Sequence, residues 1–170
     1  MRIRRITRAD LPALTAMVLE FERLLVRMEG KRRRIDSAKI ATALAAHGFG
    51  RHRFFDGLIA LEKVEALGYI LFHHGFSTQH HCGTIFVSDF YVRPTARRKG
   101  TGRALFEAAG DIGRARGAAR MEWTVWDINA PAIAFYRSMG AEAVSEELLM
   151  GVSLTNARRR KTRGFGPVQR

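Results

Sequence analysis

Thr84-Ile-Phe-Val-Ser-Asp-Phe-Tyr-Val-Arg93, then Pro94-Thr-Ala and Arg97-Arg-Lys-Gly-Thr-Gly102, is the stretch that decides how this chain folds. Its first ten residues have the β-branched and aromatic content of a strand. The residues that follow, Gly102–Arg116, place Leu105, Ala108, Ile112 and Ala115 on one helical face, and Gly117 supplies a C-terminal stop. A strand that turns through glycines into a helix leaves backbone N–H groups open at the helix N-terminus, where the peptide dipoles favour an anion. Arg97, Arg98, Lys99 and Arg103 add cations, so Gly100, Thr101 and Gly102 read as a pyrophosphate cradle. A Walker loop is excluded because no Lys-Ser/Thr pair follows the second glycine. A dinucleotide fingerprint is excluded because its third glycine is missing at the required spacing. Taken alone, a Gly-x-Gly in a basic loop serves an ordinary turn equally well.

Working outward, Ile3 and Ile6 flank the basic residues of a short first strand. Thr7 and Asp10 have capping-box spacing ahead of Leu11, Leu14, Met17, Val18, Phe21 and Leu25, which recur at helical intervals, with Pro12 tolerated in the first turn. Ser37 is placed to cap a second helix running through Ala46 to Gly48. Phe54–Leu61, Gly68–His74 and Thr84–Arg93 read as consecutive strands on short loops, hence an antiparallel meander. Met121–Trp126 predicts a further strand, Ala130–Met139 a short helix closed by Gly140, and Leu148–Leu154 a last strand. Strands first and then alternating strands and helices predict an α/β (α+β) fold, a mixed sheet with helices packed on it.

The 170 residues suit one domain, taken as 1–155, with 156–170 a basic, flexible C-terminal tail. With 46% apolar residues, 11 Phe, 2 Trp and 3 Tyr, the chain has the means to build a core, which excludes wholesale disorder. One cysteine, Cys82, excludes an internal disulfide framework and any cysteine-only zinc site, so a cytoplasmic setting is the default. No signal-peptide pattern and no transmembrane run is read, and no membrane partner is expected. The net charge of +13 is uneven: Asn156–Arg170 carries six basic side chains and no acidic one. Such a tail can bind nucleic acid by releasing phosphate counterions, but it lacks an aromatic ladder beyond Phe165, and a solubilising role is favoured. His73, His74, His80, His81 and Cys82 cluster in a hairpin, yet adjacent strand residues point to opposite faces, so no metal site is assigned.

Arg97-x-x-Gly100-x-Gly102 after a strand resembles the acetyl-CoA pyrophosphate loop of the GNAT N-acetyltransferase superfamily. Asn129-Ala-Pro-Ala-Ile-Ala-Phe-Tyr136-Arg-Ser-Met-Gly-Ala141 resembles that superfamily's Asn…Phe-Tyr-x-x-x-Gly-Ala segment. Asp89-Phe-Tyr-Val-Arg-Pro94, Trp123-Thr-Val-Trp-Asp-Ile-Asn129 and Gly48-Phe-Gly-Arg-His-Arg-Phe54 resemble its diamine acetyltransferase branch, which includes spermidine/spermine and thialysine enzymes. The likeness covers roughly Ile3 to Leu154. It implies a mostly antiparallel sheet in which two parallel strands splay apart, acetyl-CoA as cosubstrate, no metal, and a homodimer. It implies that Phe90, Tyr91 and Val92 pair with the pantetheine arm, that Arg97–Arg103 wrap the pyrophosphate, and that Asn129, Ala132 and Phe135 line the CoA arm. Tyr136 would donate the proton to the departing thiolate, as a phenol can.

The sequence departs from the branch at the base. Polyamine-type relatives carry Glu where this chain has Ser88, and Ser88 can hold a relay water but cannot act as a base unaided. Asp89 is adjacent, although strand alternation points it to the opposite face unless a bulge intervenes. Glu22, beside Phe21 on the first helix, and Glu122, beside Trp123 and Thr124, are the other substrate-side candidates. A primary ammonium is only about a thousandth neutral at pH 7, so a proton route is needed. The expected reaction is acetyl transfer to a primary amine of a small molecule, a diamine, a polyamine or an amino-acid-like amine. The competing readings are a protein N-terminal or lysine acetyltransferase, and a CoA-binding scaffold that holds nucleic acid through the tail.

Overall fold

The computed structural model describes residues 1–30, 32–144 and 149–154. In chain order the elements are β1 (Arg2–Arg5), α1 (Leu11–Glu29), α2 (Ser37–Phe49), β2 (Asp56–Glu62), β3 (Glu65–Ser77), β4 (Cys82–Val92), α3 (Thr101–Ala115), β5 (Ala118–Trp123) and α4 (Ala130–Ser138). The five strands form one sheet in sequence order. β1 to β4 pair antiparallel, and β4 pairs with β5 in parallel, as the crossover through α3 requires.

β3 lies at the centre and is apolar on both faces, which is why Ala66–Phe72 reads as a continuous run rather than an alternation. Ile70 and Phe72 point to one face and pack with Ile85, Val87, Leu105 and Phe106 beneath α3. Tyr69 and Leu71 point to the other face and pack with Leu14, Met17 and Leu44 of α1 and α2. Each fully buried side chain of this size contributes about 1.5–3 kcal/mol. β1, with Arg2 and Arg5 exposed, closes one edge of the sheet.

The first turn is clasped by Asp10. Arg4 donates to both of its carboxylate oxygens, at 2.6 and 2.7 Å, and the Thr7 N–H and hydroxyl donate to Oδ2 at 2.7 and 2.9 Å. The Thr7/Asp10 spacing read from the sequence therefore does local work, tying β1 to the start of α1.

Several sequence expectations need correction. Asp36, not Ser37, caps α2: its carboxylate accepts from the Lys39 N–H at 3.1 Å, which a side chain one position further in cannot reach. β5 ends at Trp123, and Thr124, Val125 and Trp126 run on exposed without strand geometry. The predicted strand at Leu148–Leu154 is not formed at Leu149–Leu154. Leu149, Met150, Val152 and Leu154 there are each more than four-fifths exposed, and an alternating pattern makes a strand only where a neighbouring ladder accepts it. Leu148 and the tail at 156–170 lie outside the described residues.

Asp10 titrates at about 2, lowered first by the Arg4 hydrogen bonds and then by those from Thr7. Its stabilisation is therefore complete above about pH 4 and disappears as the pH falls through 2. Asp10→Ala should cost about 1–2 kcal/mol at neutral pH. Urea unfolding of the two proteins should show that difference shrinking toward pH 2, and a difference independent of pH would refute the clasp.

Candidate active site

The site begins where the sheet opens. β4 and β5 pair from Gly83↔Ala118 to Val87↔Trp123 and no further, whereas β4 continues to Val92. The splayed parallel pair implied by the resemblance is present, and the β5-facing edge of Ser88–Val92 borders the opening.

A bulge sits at the same point. Phe72 of β3 pairs with Val87, but Leu71 pairs with Asp89, so Ser88 is the extra residue. Before the bulge, Ile85 and Val87 face α3; after it, Phe90 and Val92 do. Asp89 and Tyr91 are thereby turned toward α1. The Ser88 hydroxyl, at the exposed outside of the bulge, donates to the Leu71 carbonyl at 3.3 Å.

Asp89 meets Tyr69 there. The Tyr69 hydroxyl donates to Asp89 Oδ2 at 2.7 Å, while Oδ1 is sealed from solvent and, among the described residues, has no hydrogen-bond partner. Burial, opposed by hydrogen bonds from Tyr69 and the Phe90 N–H, raises the Asp89 carboxyl to about 6. Burial first and the Asp89 charge second push the Tyr69 phenol well up.

Tyr136, on α4, packs against Trp123 (ring centroids 4.7 Å apart), Phe106 (5.9 Å) and Phe90 (6.4 Å). Burial, with a smaller contribution from the Asp89 charge, pushes its phenol up to about 12. The proton is therefore held more firmly than on an ordinary phenol. Phe135 packs beside Tyr136 and against Phe90, and both Phe135 and Phe90 approach Gly102.

The cradle lies at the start of α3. Gly100 has φ +79°, with open space where a Cβ would stand, and Arg98 also has positive φ. The first intrahelical donor is the Ala104 N–H, bonded to the Gly100 carbonyl at 3.0 Å, so the Thr101, Gly102 and Arg103 N–H groups have no helical acceptor. Arg98 and Lys99 are exposed beside them. Donors without a helical acceptor, an unfilled turn and exposed cations fit a pyrophosphate. Arg97 does not join them: it donates to the Val92 carbonyl at 2.9 Å and lies 5.8 Å from the Tyr91 ring centre. Arg103 is shared between Glu107 (3.5 Å) and the Ser138 carbonyl (3.3 Å).

Other expected residues are already engaged. Asn129 caps α4, accepting from the Ala132 N–H at 3.4 Å, so both serve the helix start. Glu22 is ion-paired with Arg33, and Glu122 with Arg120 at 2.9 Å. Phe21 packs on Tyr91, 5.7 Å between ring centres, and Thr124 is exposed beyond β5. Among the described residues, no three His, Cys, Asp or Glu side chains are gathered as metal ligands: His74 reaches Asp56 at 3.5 Å, and His73 stacks on Phe86.

Two groups went unremarked in the sequence. Tyr69 is one; a phenol within an apolar strand signals a hydroxyl that needs a partner. The other is Glu20, which accepts from Arg93 at 2.8 Å and from the Tyr91 hydroxyl at 3.2 Å, fixing α1 against β4.

The sequence profile of the acetyltransferase (GNAT) family matches residues 20–141. The chain belongs to that family. It is similar to a thialysine N-epsilon-acetyltransferase of Caenorhabditis elegans, 37% identical over 83 residues, covering 47% of this chain and 49% of the relative. A bovine (Bos taurus) protein of the same name is 30% identical over 121 residues, covering 65% of this chain and 70% of the relative. The chain thus spans about half the nematode relative's length. An integron cassette protein from the mobile metagenome of V. cholerae shares the fold, with TM-score 0.77 and 24% identity over 89% of this chain and 91% of that one. Among the described residues, no helix is long and apolar enough to cross a membrane.

All three tyrosines, Tyr69, Tyr91 and Tyr136, are raised above the ordinary phenol value, in each case chiefly by burial. Alkaline titration of the folded protein should show little phenolate absorbance at about pH 10, where an ordinary tyrosine is half ionised. Denaturant should restore three ordinary titrations. A folded protein with one tyrosine half ionised there would contradict the packing described.

Proposed function

We propose that this protein is an acetyl-CoA-dependent N-acetyltransferase that moves the acetyl group directly to a primary amine of a small, amino-acid-like molecule. The observation that carries the reading is the opening between β4 and β5, with the α3 N-terminus beside it and the Tyr136 phenol on its wall. Acetyl-CoA supplies the activated acyl group as a thioester. The Thr101, Gly102 and Arg103 N–H groups, with Arg98 and Lys99, hold its pyrophosphate, while the Phe90–Val92 edge pairs with the pantetheine arm as an added strand. A β4 N–H polarises the carbonyl, and Tyr136 gives its proton to the sulfur as it leaves.

The charges around the opening support the choice of amine. Glu22 is cancelled by Arg33 and Glu122 by Arg120, which leaves little acidic surface for a polycation. An acceptor bearing a carboxylate as well as an amine suits that balance, in keeping with the names of the curated relatives. Residues 1–155 act as one catalytic unit in the cytoplasm, assembled as a homodimer, with 156–170 a solubilising tail.

Thiol release from acetyl-CoA, measured across diamines, polyamines, thialysine and free amino acids, tests this. Turnover should be highest on a basic amino acid, and Tyr136→Phe should lower kcat about 100-fold or more while leaving CoA affinity within about threefold. Preference for spermine would overturn the substrate class. An unchanged Phe variant would overturn the acid.

In the same way, Gly100→Ala forces a side chain into a left-handed conformation. It should weaken CoA binding by calorimetry about five- to thirtyfold, since the strain costs about 1–2 kcal/mol and falls on the cradle. Unchanged affinity would move the pyrophosphate elsewhere.

A further inference from the structure

We propose that Asp89, turned toward α1 by the Ser88 bulge and held by the Tyr69 hydroxyl, is the group that takes the proton from the acceptor ammonium. The proposal rests on the acetyl-transfer reading above and completes it. Strand alternation without a bulge would have put Asp89 on the α3 face with Val87; the two-for-one pairing opposite Leu71 and Phe72 moves it across.

The geometry gives this carboxylate a distinctive division of labour. Oδ2 accepts from Tyr69 at 2.7 Å, which fixes the side chain, and Oδ1 is sealed with no hydrogen-bond partner among the described residues. An anionic oxygen held away from water and unpaired is costly, and a proton arriving on it removes the cost. The residue as a whole is half-buried, and this role requires one water, entering with the amine, to carry the proton across to this carboxyl.

The alternatives are otherwise occupied. Ser88 donates to the Leu71 carbonyl, Glu22 is paired with Arg33, and Glu122 with Arg120. The groups facing Asp89 are Tyr69 from β3, Glu22 from α1 with Arg33 upon it, and the more remote Tyr136 on α4, whose phenol is raised by the Asp89 charge. Tyr91, next but one along β4, donates its hydroxyl hydrogen bond to Glu20.

The protons balance. Asp89 takes one from the ammonium, leaving a neutral amine whose lone pair forms the nitrogen–carbon bond. The carbon–sulfur bond breaks, and its electron pair on sulfur takes the Tyr136 proton. A second nitrogen proton returns to the Tyr136 oxygen, and Asp89 releases its own to water. One ammonium and one thioester yield one amide, one thiol and one proton.

A carboxyl near 6 sets the direction of the pH dependence: it accepts a proton only when ionised, so kcat/KM rises with pH through about 6. The test uses the full chain with Asp89→Asn, Asp89→Glu, Tyr69→Phe, Ser88→Ala and Glu22→Gln. Asp89→Asn should lower kcat about 100-fold or more and abolish the limb near pH 6 while binding CoA normally. Asp89→Glu should restore part of the rate, Tyr69→Phe should shift the limb, and Ser88→Ala and Glu22→Gln should keep it. Carbon-13 NMR of the Asp89 carboxyl in the wild type gives a second readout, independent of turnover and of how the variants fold. A midpoint near 6 supports the role, and an ordinary carboxylate midpoint overturns it. Persistence of the limb in Asp89→Asn, or its loss in Ser88→Ala or Glu22→Gln, also overturns it. Wild-type turnover with a fully active Asn variant defeats this role alone, whereas a wild type that acetylates no amine defeats the transfer reading and this role together.

Discussion

One inserted residue organises the functional half of this molecule. Strand side chains alternate with a period of two, so an extra residue at Ser88 exchanges the two faces of everything after it. It sends Phe90 and Val92 into the α3 core and Asp89 and Tyr91 toward α1. The β4–β5 ladder ends at the same place, with Val87↔Trp123. The bulge thereby coincides with the opening of the sheet and with the burial of a carboxylate on its floor.

The two walls of that opening are stiffened differently. Toward α1 the restraint is polar: Glu20 holds Arg93 and Tyr91, and Tyr69 holds Asp89. Toward α3 and α4 it is aromatic, with Phe90, Phe106, Trp123, Phe135 and Tyr136 in mutual contact. The aromatic wall keeps a phenol dry, and the polar wall keeps a carboxylate in place. Burial raises the proton affinity of both groups, and at Asp89 the Tyr69 hydrogen bond opposes it.

The fold was legible in the sequence wherever a residue pattern is local. The glycine turn into α3, the Thr7/Asp10 pair and the β2–β4 meander could each be read from a few neighbouring residues. The β5 boundary and the strand assigned to Leu148–Leu154 could not, because a strand also needs a ladder partner and composition does not say which edge is available. At the site, motif order named Tyr136 and the cradle. Spacing could not reveal that Arg97 turns back to Val92, that Arg33 and Arg120 neutralise Glu22 and Glu122, or that Tyr69 reaches Asp89. Those depend on contacts between residues far apart in the chain. The bulge is not legible in the sequence, since its signature is no more than a serine inside a strand.

The short first strand has a bearing on how the protein behaves at high concentration. An unpaired strand edge is a template for another chain, and β1 guards its edge with exposed Arg2 and Arg5. That protection is electrostatic, and it reaches about 10 Å at about 0.1 M salt but only about 3 Å at about 1 M. Concentrated salt therefore weakens the guard while leaving the edge, so any pairing of this edge with another chain is expected to grow with ionic strength.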